Sequence, residues 1–305
     1  MATISGEVRD DAGDLVADVV VRAYRRDTGA LLVTGLSGDG TEEVPGDADY
    51  ASVSLLLHCD GTDGSTTFTD NSSSPKTVTR SGDAHIETDQ YKFGTASGYF
   101  DGTGDYLTAS NDGSLNFGTG DFTIECWVRL TEPTVYRFLL GGASAHYMMV
   151  AFNYTSNAIN VGVGNVGWTA NFSGHSISAN TWAHVALTRS SGSHRCFVNG
   201  TQVGTTVSDT TNYSFPAAGM TVGYQTGGST FYGYLDDIRI TKGVARYTAN
   251  FTAPAAPFLD YALIPAKPLG EYTLTTAYTG EVNVIALDPD GGTTFNDLIL
   301  RTTPV

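Results

Sequence analysis

The sequence has little cysteine, few basic residues and no long apolar run. Its three cysteines, Cys59, Cys126 and Cys196, are too few and too odd in number to form a disulfide framework. Cys126 and Cys196 lie in apolar strand patterns, where a free thiol behaves as a small hydrophobic side chain, so we expect no catalytic role for them. No run approaches the length of a membrane span, and we therefore expect no membrane insertion.

The first residues, MATISGEVRD, lack the basic and apolar segments of a secretory signal. We therefore expect no signal peptide. Together with the free thiols, this indicates a protein that is made and folded in a reducing cytoplasm, even if it later acts outside a cell.

Basic residues are outnumbered, because 16 Lys and Arg face 32 Asp and Glu, which gives a formal net charge of −16. Binding nucleic acid through its phosphates requires clustered Lys and Arg, so the composition argues against that partner. Most of the carboxylates are interpreted as a solvated acidic surface that favours solubility. Such a surface also offers oxygen ligands to divalent cations.

Glycine and alternating apolar residues are abundant. The 36 glycines, the 11% of aromatic residues and the lack of long amphipathic helical patterns predict an all-β protein with many turns. The clearest strand pattern lies in residues 181–203, where Ala183, Val185 and Leu187 alternate with other side chains. The dipeptide Asn199-Gly200 readily takes positive φ angles, so it predicts a tight hairpin turn in the same stretch.

Four motifs follow one another along the middle of the chain. They are Y-F-D-G-x-G-D-Y-L at 99–107, F-T-I-E-C-W-V at 122–128, W-x-H-V-A followed by F-V-N-G at 182–200, and G-Y-L-D-D-I-R-I at 233–240. Together they resemble the laminin-G-like, concanavalin A-type jelly roll. The resemblance covers roughly residues 53–258 and implies a two-sheet sandwich there, with Trp127 and Trp182 in its core.

Both ends of the chain contain short strand patterns that bury too little to stand alone. The predicted strands are 4–8, 19–25, 30–36, 271–274, 282–287 and 298–301. Joined without the middle, the ends carry S-G-x-V-x-D-x-x-G-x-x-V at 5–16 and G-x-Y-x-L at 270–274. These motifs resemble the small transthyretin-like or carboxypeptidase-regulatory-like sandwich.

We therefore predict a domain insertion, since loop tips tolerate inserted domains. Residues 1–40 plus 269–305 would form a small discontinuous β-sandwich, and residues 41–268, with a core at 53–258, would form the concanavalin A-like jelly roll. The alternative is a separate N-terminal stub and C-terminal tail.

The last jelly-roll motif contains a candidate metal ligand. The resemblance implies that, in jelly rolls of this type, the Asp of the pattern apolar-D-x-apolar-R-apolar ligates a structural Ca²⁺ ion. In this sequence that Asp is Asp236. Our first choice for a second carboxylate ligand is Asp60. A carboxylate beside an apolar layer needs a cation or several N–H donors. The alternative is that Asp236 accepts hydrogen bonds from a neighbouring loop and that Asp237 pairs with a base such as Arg239.

No catalytic constellation is recognisable. Retaining hydrolases of this fold carry E-x-D-x-x-E on one strand, because two carboxylates must flank the scissile bond. The nearest string, 87–92, ends in Lys92 where the acid is required, and we interpret it as a loop. The sequence contains no G-x-S-x-G, and its six His are scattered, with His184 interpreted as a hydrogen-bonded structural residue. We therefore predict no enzymatic activity and assign no catalytic residue.

The candidate binding residues surround a tryptophan outside the family motifs. Trp168 lies in the glycine-rich stretch 162–174 with Asn165 and Asn171 close by, and Tyr154 lies at the preceding turn. Sugar recognition uses an exposed aromatic face with nearby amides, because pyranose rings have apolar C–H patches rimmed by hydroxyls. A protein interface or a loop anchor would use Trp168 equally well.

A further resemblance concerns the kind of protein in which such end segments occur. V-R-A-Y-R-R-D-T-G-A-L-L at 21–32, with F-N-D-L-I-L-R-T-T-P-V at 295–305, resembles small domains of bacteriophage tail and surface proteins. The resemblance implies a virion surface or tail-associated protein, whose small domain attaches it to other virion proteins. Its jelly roll would bind host cell-surface glycans or decorate the particle. We also expect the protein to form a homo-oligomer in the assembly. Two alternatives are a purely structural virion protein and a glycoside hydrolase with an unrecognised site.

Overall fold

The computed structural model describes residues 2–7, 20–25, 31–36, 46–132, 136–142, 147–154, 156–164, 166–225, 230–262, 271–276, 282–287 and 294–295. The chain divides into two compact units, one made of Met1–Tyr50 with Tyr261–Val305 and the other of Ala51–Asp260. We call them the terminal unit and the central unit. Within the described residues, no helix is long and apolar enough to cross a membrane.

Nearly all regular structure is strand, with one 3₁₀ turn at Tyr50–Ser52. The strands are β1 Ala2–Glu7, β2 Val20–Arg25, β3 Leu31–Leu36, β4 Val53–Leu57, β5 Val78–Ser81, β6 His85–Glu87, β7 Ser97–Asp101, β8 Tyr106–Ala109, β9 Phe122–Leu130, β10 Arg137–Gly142, β11 Met148–Asn153, β12 Ala158–Val163, β13 Gly167–Ser173, β14 Trp182–Ser190, β15 Ser193–Val198, β16 Thr201–Ser208, β17 Met220–Val222, β18 Tyr232–Lys242, β19 Glu271–Thr276, β20 Val282–Leu287 and β21 Thr294–Phe295.

In the terminal unit, strands from both ends of the chain pair with each other. Strand β1 pairs antiparallel with β19, from Ala2 opposite Thr276 to Glu7 opposite Glu271. A second sheet has the order β21-β20-β2-β3. The predicted strand at 298–301 lies outside the described residues. The transthyretin-like class of this unit and the insertion with boundaries 1–40, 41–268 and 269–305 stay predictions.

The central unit is a sandwich of two antiparallel sheets. The front sheet has seven strands in the order β13-β12-β11-β10-β17-β8-β5. The back sheet has eight strands, in the order β16-β15-β14-β9-β18-β7-β6 with β4 also paired to β18. The prediction of an all-β, concanavalin A-like jelly roll is confirmed.

Period-two alternation decides which side chains form the core between the sheets. On β9, Ile124, Cys126 and Val128 point into the core, and on β14 Val185 and Leu187 do the same. Fully buried phenylalanines fill the space between the sheets, namely Phe100, Phe122, Phe152 and Phe172. Each such side chain contributes about 1.5–3 kcal/mol by its burial. The three cysteines are buried free thiols, as the sequence indicates.

Along one of its edges, strand β18 pairs with two different strands, because a bulge divides it into two halves. Its first half pairs with β7 through Tyr232–Leu235, and its second half pairs with β4 through residues 238–241. The register against β9 shifts between Asp236 and Arg239. At the bulge, Asp237 takes a φ of 49°, a conformation that is uncommon for a residue other than glycine.

The outer face of the back sheet is partly covered by the segment 243–258. On this face Glu125 and His184 are fully buried. The Arg239 guanidinium donates two hydrogen bonds to Glu125 Oε1, at 3.0 and 2.8 Å, and the Tyr247 hydroxyl donates to Oε2 at 2.9 Å. His184 Nε2 lies 3.2 Å from Glu125 Oε2, but neither ring nitrogen forms a hydrogen bond within the described residues, so the predicted hydrogen-bonded role of His184 stays a prediction. The hydrogen bond from Tyr247 to Glu125 ties the covering segment to the sheet.

Of the two tryptophans predicted to lie in the core, Trp127 is buried, whereas Trp182 is not. Trp127 and Trp182 follow the outward parity of β9 and β14, because their neighbours Val128 and Ala183 already point into the core. Trp127 is only 5% exposed because the loop 88–93 covers it, whereas Trp182 is half-buried.

The ionised Glu125 makes the stability of the central unit dependent on pH. Burial opposes its ionisation, but the positive charge of Arg239, together with His184, outweighs burial and lowers the pKa of Glu125 to about 2. The contribution is therefore complete above the ordinary pKa of 4.5 and is lost as the pH falls through the folded value near 2. A shift of this size corresponds to about 3 kcal/mol.

Glu125→Gln is expected to abolish this pH dependence. Urea unfolding followed by tryptophan fluorescence measures it, because all three tryptophans lie in the central unit. Between about pH 5 and pH 2, the wild-type protein should lose about 3 kcal/mol more than the variant. Glu132→Gln, at a carboxylate that is 63% exposed, should keep the wild-type slope. Equal slopes for the wild type and Glu125→Gln would contradict the assignment.

Candidate functional site

A cluster of aromatic rings lies on the outer face of the front sheet. Trp168 is on the edge strand β13, and its ring lies nearly parallel to those of Tyr136 and Phe138, with centroids 5.9 and 6.3 Å away at 9° and 21°. Trp168 is 40% exposed, and its neighbour Val166 is 69% exposed. Three apolar rings therefore share one orientation, and the outermost is open to solvent.

A glycine in the adjacent strand permits this arrangement. Gly162 on β12 lies opposite Trp168, at a shift in register between β12 and β13. A Cβ at Gly162 would lie 3.0 Å from both Met149 Cε and Trp168 Cα, and 2.4 Å from the main-chain oxygen of Gly167. A side chain at Gly162 would therefore push Trp168 away from the sheet.

Amide side chains lie beside the rings. Asn171 is exposed on β13, and its cross-strand partner is Asn160 on β12. Asn160 is 2% exposed, and its Oδ1 has no hydrogen-bond partner among the described residues. Asn153 donates to the Tyr136 hydroxyl at 2.6 Å and so fixes that ring. We define the Trp168 surface as Tyr136, Phe138, Asn160, Trp168 and Asn171.

The structure brings together only some of the predicted binding residues. Trp168 and Asn171 lie on one face, whereas Asn165 lies outside the described residues. Tyr154 packs against the core with its ring edge-on to His175 at 5.3 Å, and burial raises the pKa of its hydroxyl. Tyr154 therefore lies apart from the Trp168 surface.

The sequence reasoning missed three members of this surface, Tyr136, Phe138 and Asn160. Tyr136 and Phe138 alternate with Arg137, and this period-two pattern could have indicated two aromatic rings on one face of a strand. What the sequence does not reveal is that β10, β11, β12 and β13 are consecutive neighbours in one sheet.

The strands of the front sheet contain no acidic residue. Neither Asp nor Glu occurs in β5, β8, β10, β11, β12, β13 or β17. Glycoside hydrolysis commonly needs two carboxylates about 5–9.5 Å apart. These strands therefore supply no such pair.

The predicted metal ligand Asp236 lies in the bulge of β18 and is 1% exposed. Its Oδ2 accepts hydrogen bonds from the main-chain N–H groups of Lys92 at 2.7 Å and Phe93 at 3.1 Å. Burial raises the pKa of Asp236 to about 7, although the two donors act against it. The string that resembles a hydrolase motif thus ends in a loop that binds Asp236, while its first residue, Glu87, ends β6.

The neighbouring carboxylates are also held by hydrogen bonds. The exposed Asp60 accepts from the Thr95 main-chain N–H at 2.7 Å. Asp237 contacts His58 Nδ1 at 2.5 Å and accepts from the Phe258 main-chain N–H at 2.7 Å. The alternative in which Asp237 pairs with a base is met by His58, while Arg239 donates to Glu125 on the neighbouring strand β9.

A calcium ion at Asp236 and Asp60 stays a prediction. In the described part of the chain, no group of three or more His, Cys, Asp or Glu is placed to hold a metal ion. Besides burial, the negative charges of Asp237 and Asp60 contribute to the raised pKa of Asp236. Asp236 and Asp60 fit a hard cation if main-chain oxygens complete the coordination.

Comparison with known proteins gives the class of the central unit. Residues 101–246 match the Laminin_G_3 family model, described as the concanavalin A-like lectin/glucanases superfamily. This similarity agrees with the two antiparallel sheets of the central unit, which form a sandwich of the concanavalin A-like jelly-roll type. A search of curated proteins found no match.

Several solved structures are similar in shape. One is domain 4 of AbnA, an extracellular arabinanase from Geobacillus stearothermophilus, solved in complex with arabinotriose. Its sequence is 16% identical to this chain, and the TM-score is 0.49. The match covers 64% of this chain and 94% of the arabinanase domain. The binding domain of botulinum neurotoxin serotype C1 is 16% identical with a TM-score of 0.48 over 64% and 50%. The chain thus spans about half the length of the neurotoxin chain.

Calcium is expected to stabilise the central unit through Asp236. A ligand that binds only the folded state at a hundredfold excess over Kd adds about 2.7 kcal/mol, which corresponds to about 5–10 °C in Tm. Scanning calorimetry of chelator-treated protein with added Ca²⁺ measures the shift. Asp236→Asn should remove it, while Asp112→Asn, at a carboxylate that is 57% exposed, should retain it. A Tm that does not respond to Ca²⁺ would rule the site out.

Proposed function

We propose that this chain is a non-enzymatic, glycan-binding protein of a bacteriophage virion, and that it binds sugar at the Trp168 surface. The observation that carries the proposal is the near-parallel stack of Trp168 on Tyr136 and Phe138, with Trp168 40% exposed. A flat aromatic face that is open to solvent complements the C–H patches of a pyranose ring.

The polar groups beside the rings favour a sugar over an apolar partner. Asn171 is exposed beside Trp168 and can both donate and accept hydrogen bonds. Sugar hydroxyls need such two-way partners around the stacked ring. The shortage of acidic side chains suits a neutral sugar, which needs no ion pair.

Binding without hydrolysis is supported by the strand sequences. The strands of the front sheet contain no Asp or Glu. The strands that would hold the sugar therefore provide neither the general acid nor the nucleophile that hydrolysis needs. The superfamily description names both lectins and glucanases, and the composition of this sheet favours the lectin role.

The virion assignment is supported by the sequence resemblance of the chain ends to bacteriophage tail and surface domains. In this proposal the terminal unit attaches the protein to other virion proteins, and the central unit projects to meet cell-surface glycans. Copies of the protein would form a homo-oligomer in the assembled particle, so that weak single sites act together.

Trp168→Ala is expected to weaken sugar binding at least tenfold, or by about 1.4 kcal/mol. A glycan array of bacterial surface oligosaccharides identifies the sugar, and calorimetry with that sugar compares the variants. Tyr91→Ala, which removes an exposed aromatic ring outside this surface, serves as the matched control. No binding on the array, unchanged affinity in Trp168→Ala, or release of reducing sugar would each contradict the proposal.

A further inference from the structure

A second row of side chains crosses the outer face of the back sheet. The strand registers place His85, Tyr99, Tyr234, Arg129 and Trp182 opposite one another on β6, β7, β18, β9 and β14. All five are half-buried. At about 4.8 Å between strands, the row is about 19 Å long. We call these five residues the Arg129 row.

Covering segments end on either side of this row. The segment 243–258 packs over Glu125 and His184 on the same face. The loop 88–93 packs over Trp127, two residues from Arg129 on β9. The Arg129 row is thus a partly open strip beside these two covered regions.

Two cations on this face lack a carboxylate partner. The Arg129 guanidinium lies 5.3 Å from the Tyr234 ring centroid and donates to Asn180 Oδ1 at 3.2 Å. Lys92 Nζ lies 4.0 Å from the Trp127 ring centroid. Among the described residues, neither cation forms an ion pair. In a chain with 32 acidic and 16 basic residues, unpaired bases are unexpected, because carboxylates are abundant.

An unsatisfied donor lies on the same face. Trp127 is 5% exposed, and its Nε1 is buried with no hydrogen-bond partner in the described part of the chain. A buried donor without a partner costs about 1–3 kcal/mol. This donor lies under the 88–93 loop, so a ligand on this face meets the two cations and not the Trp127 Nε1.

We infer that the Arg129 row, with Lys92, binds an acidic saccharide, that is, a sugar ring carrying a carboxylate or sulfate group. The unpaired Arg129 and Lys92 select the anionic group, since a guanidinium matches carboxylate and sulfate geometry. The rings of Tyr99, Tyr234 and Trp182 select a ligand with an apolar C–H face over a free inorganic anion.

Carboxylates also lie near the tyrosines of the row, since the charges of Glu87 and Asp89 act on Tyr234 and that of Asp101 acts on Tyr99, so the anionic group of the ligand belongs at the Arg129 end. Glu87 lies 3.5 Å from His85, and Asp236 is held by the N–H groups of the 88–93 loop. The net charge of −16 repels long polyanions, but screening limits that repulsion to about 8 Å at physiological salt. A ligand with few charges therefore reaches Arg129 without meeting the field of the whole protein.

The two surfaces can be tested separately. The Trp168 surface is on the front sheet and the Arg129 row is on the back sheet, so a substitution in one leaves the other unchanged. This inference does not depend on the proposed function, and either can fail alone.

The test uses calorimetry of the full chain with a galacturonic acid tetramer, its methyl ester, a sulfated galactose tetramer and inorganic sulfate. We expect the ester to bind at least tenfold more weakly than the acid, since only the charge differs. Arg129→Met should weaken acid binding at least tenfold, and Arg129→Lys less. Arg80→Met, at an exposed arginine on β5, should bind the acid like the wild type.

Several results would overturn the inference. They are equal affinity for acid and ester, equal affinity for inorganic sulfate and the tetramers, no tetramer binding tighter than about 1 mM, and unchanged binding in a folded Arg129→Met. A change of oligomeric state in Arg129→Met, measured by sedimentation, would instead assign the row to contacts between copies of the chain. Preference for the sulfated tetramer over the carboxylated one would support the inference and identify the anionic group.

Discussion

The central unit depends on the bulge in β18, where two adjacent aspartates occupy a buried position. The bulge allows one strand to pair with β7, β4 and β9, and so joins the first and last strands of the jelly roll. Asp237 adopts its uncommon φ because His58 and the Phe258 N–H hold its carboxylate. Asp236 faces the other way and binds the 88–93 loop. One local irregularity thus fixes two covering segments.

The two outer faces of the sandwich differ in which side chains are open to solvent. On the back sheet, Tyr247 donates to Glu125 and Phe258 packs on Arg239, which holds the segment 243–258 against the strands, and the Arg129 row beside it stays partly open. On the front sheet, the absence of a side chain at Gly162 lets Trp168 lie close to the strands. One face therefore presents cations among aromatic rings, and the other presents rings with neutral amides.

The concanavalin A-like class agrees with a binding role on either face. The family match at 101–246 includes the strands β8 to β17 that contain the Trp168 surface, and it ends just beyond β18. No strand of the front sheet contributes a carboxylate for hydrolysis. The terminal unit pairs both ends of the chain, which in our proposal makes it the attachment to the virion.

The sequence by itself determined the strands, the class of fold and the free thiols, because period-two alternation and turn dipeptides are local properties. Val282 to Leu287 and the Asn199-Gly200 turn are examples. Only the tertiary structure decided which side chains meet. Tyr136 reaches Trp168 across intervening strands, His58 meets Asp237 at a separation of 179 residues, and Tyr154 turns into the core. Sheet order and register set these contacts, and neither is encoded in a local pattern.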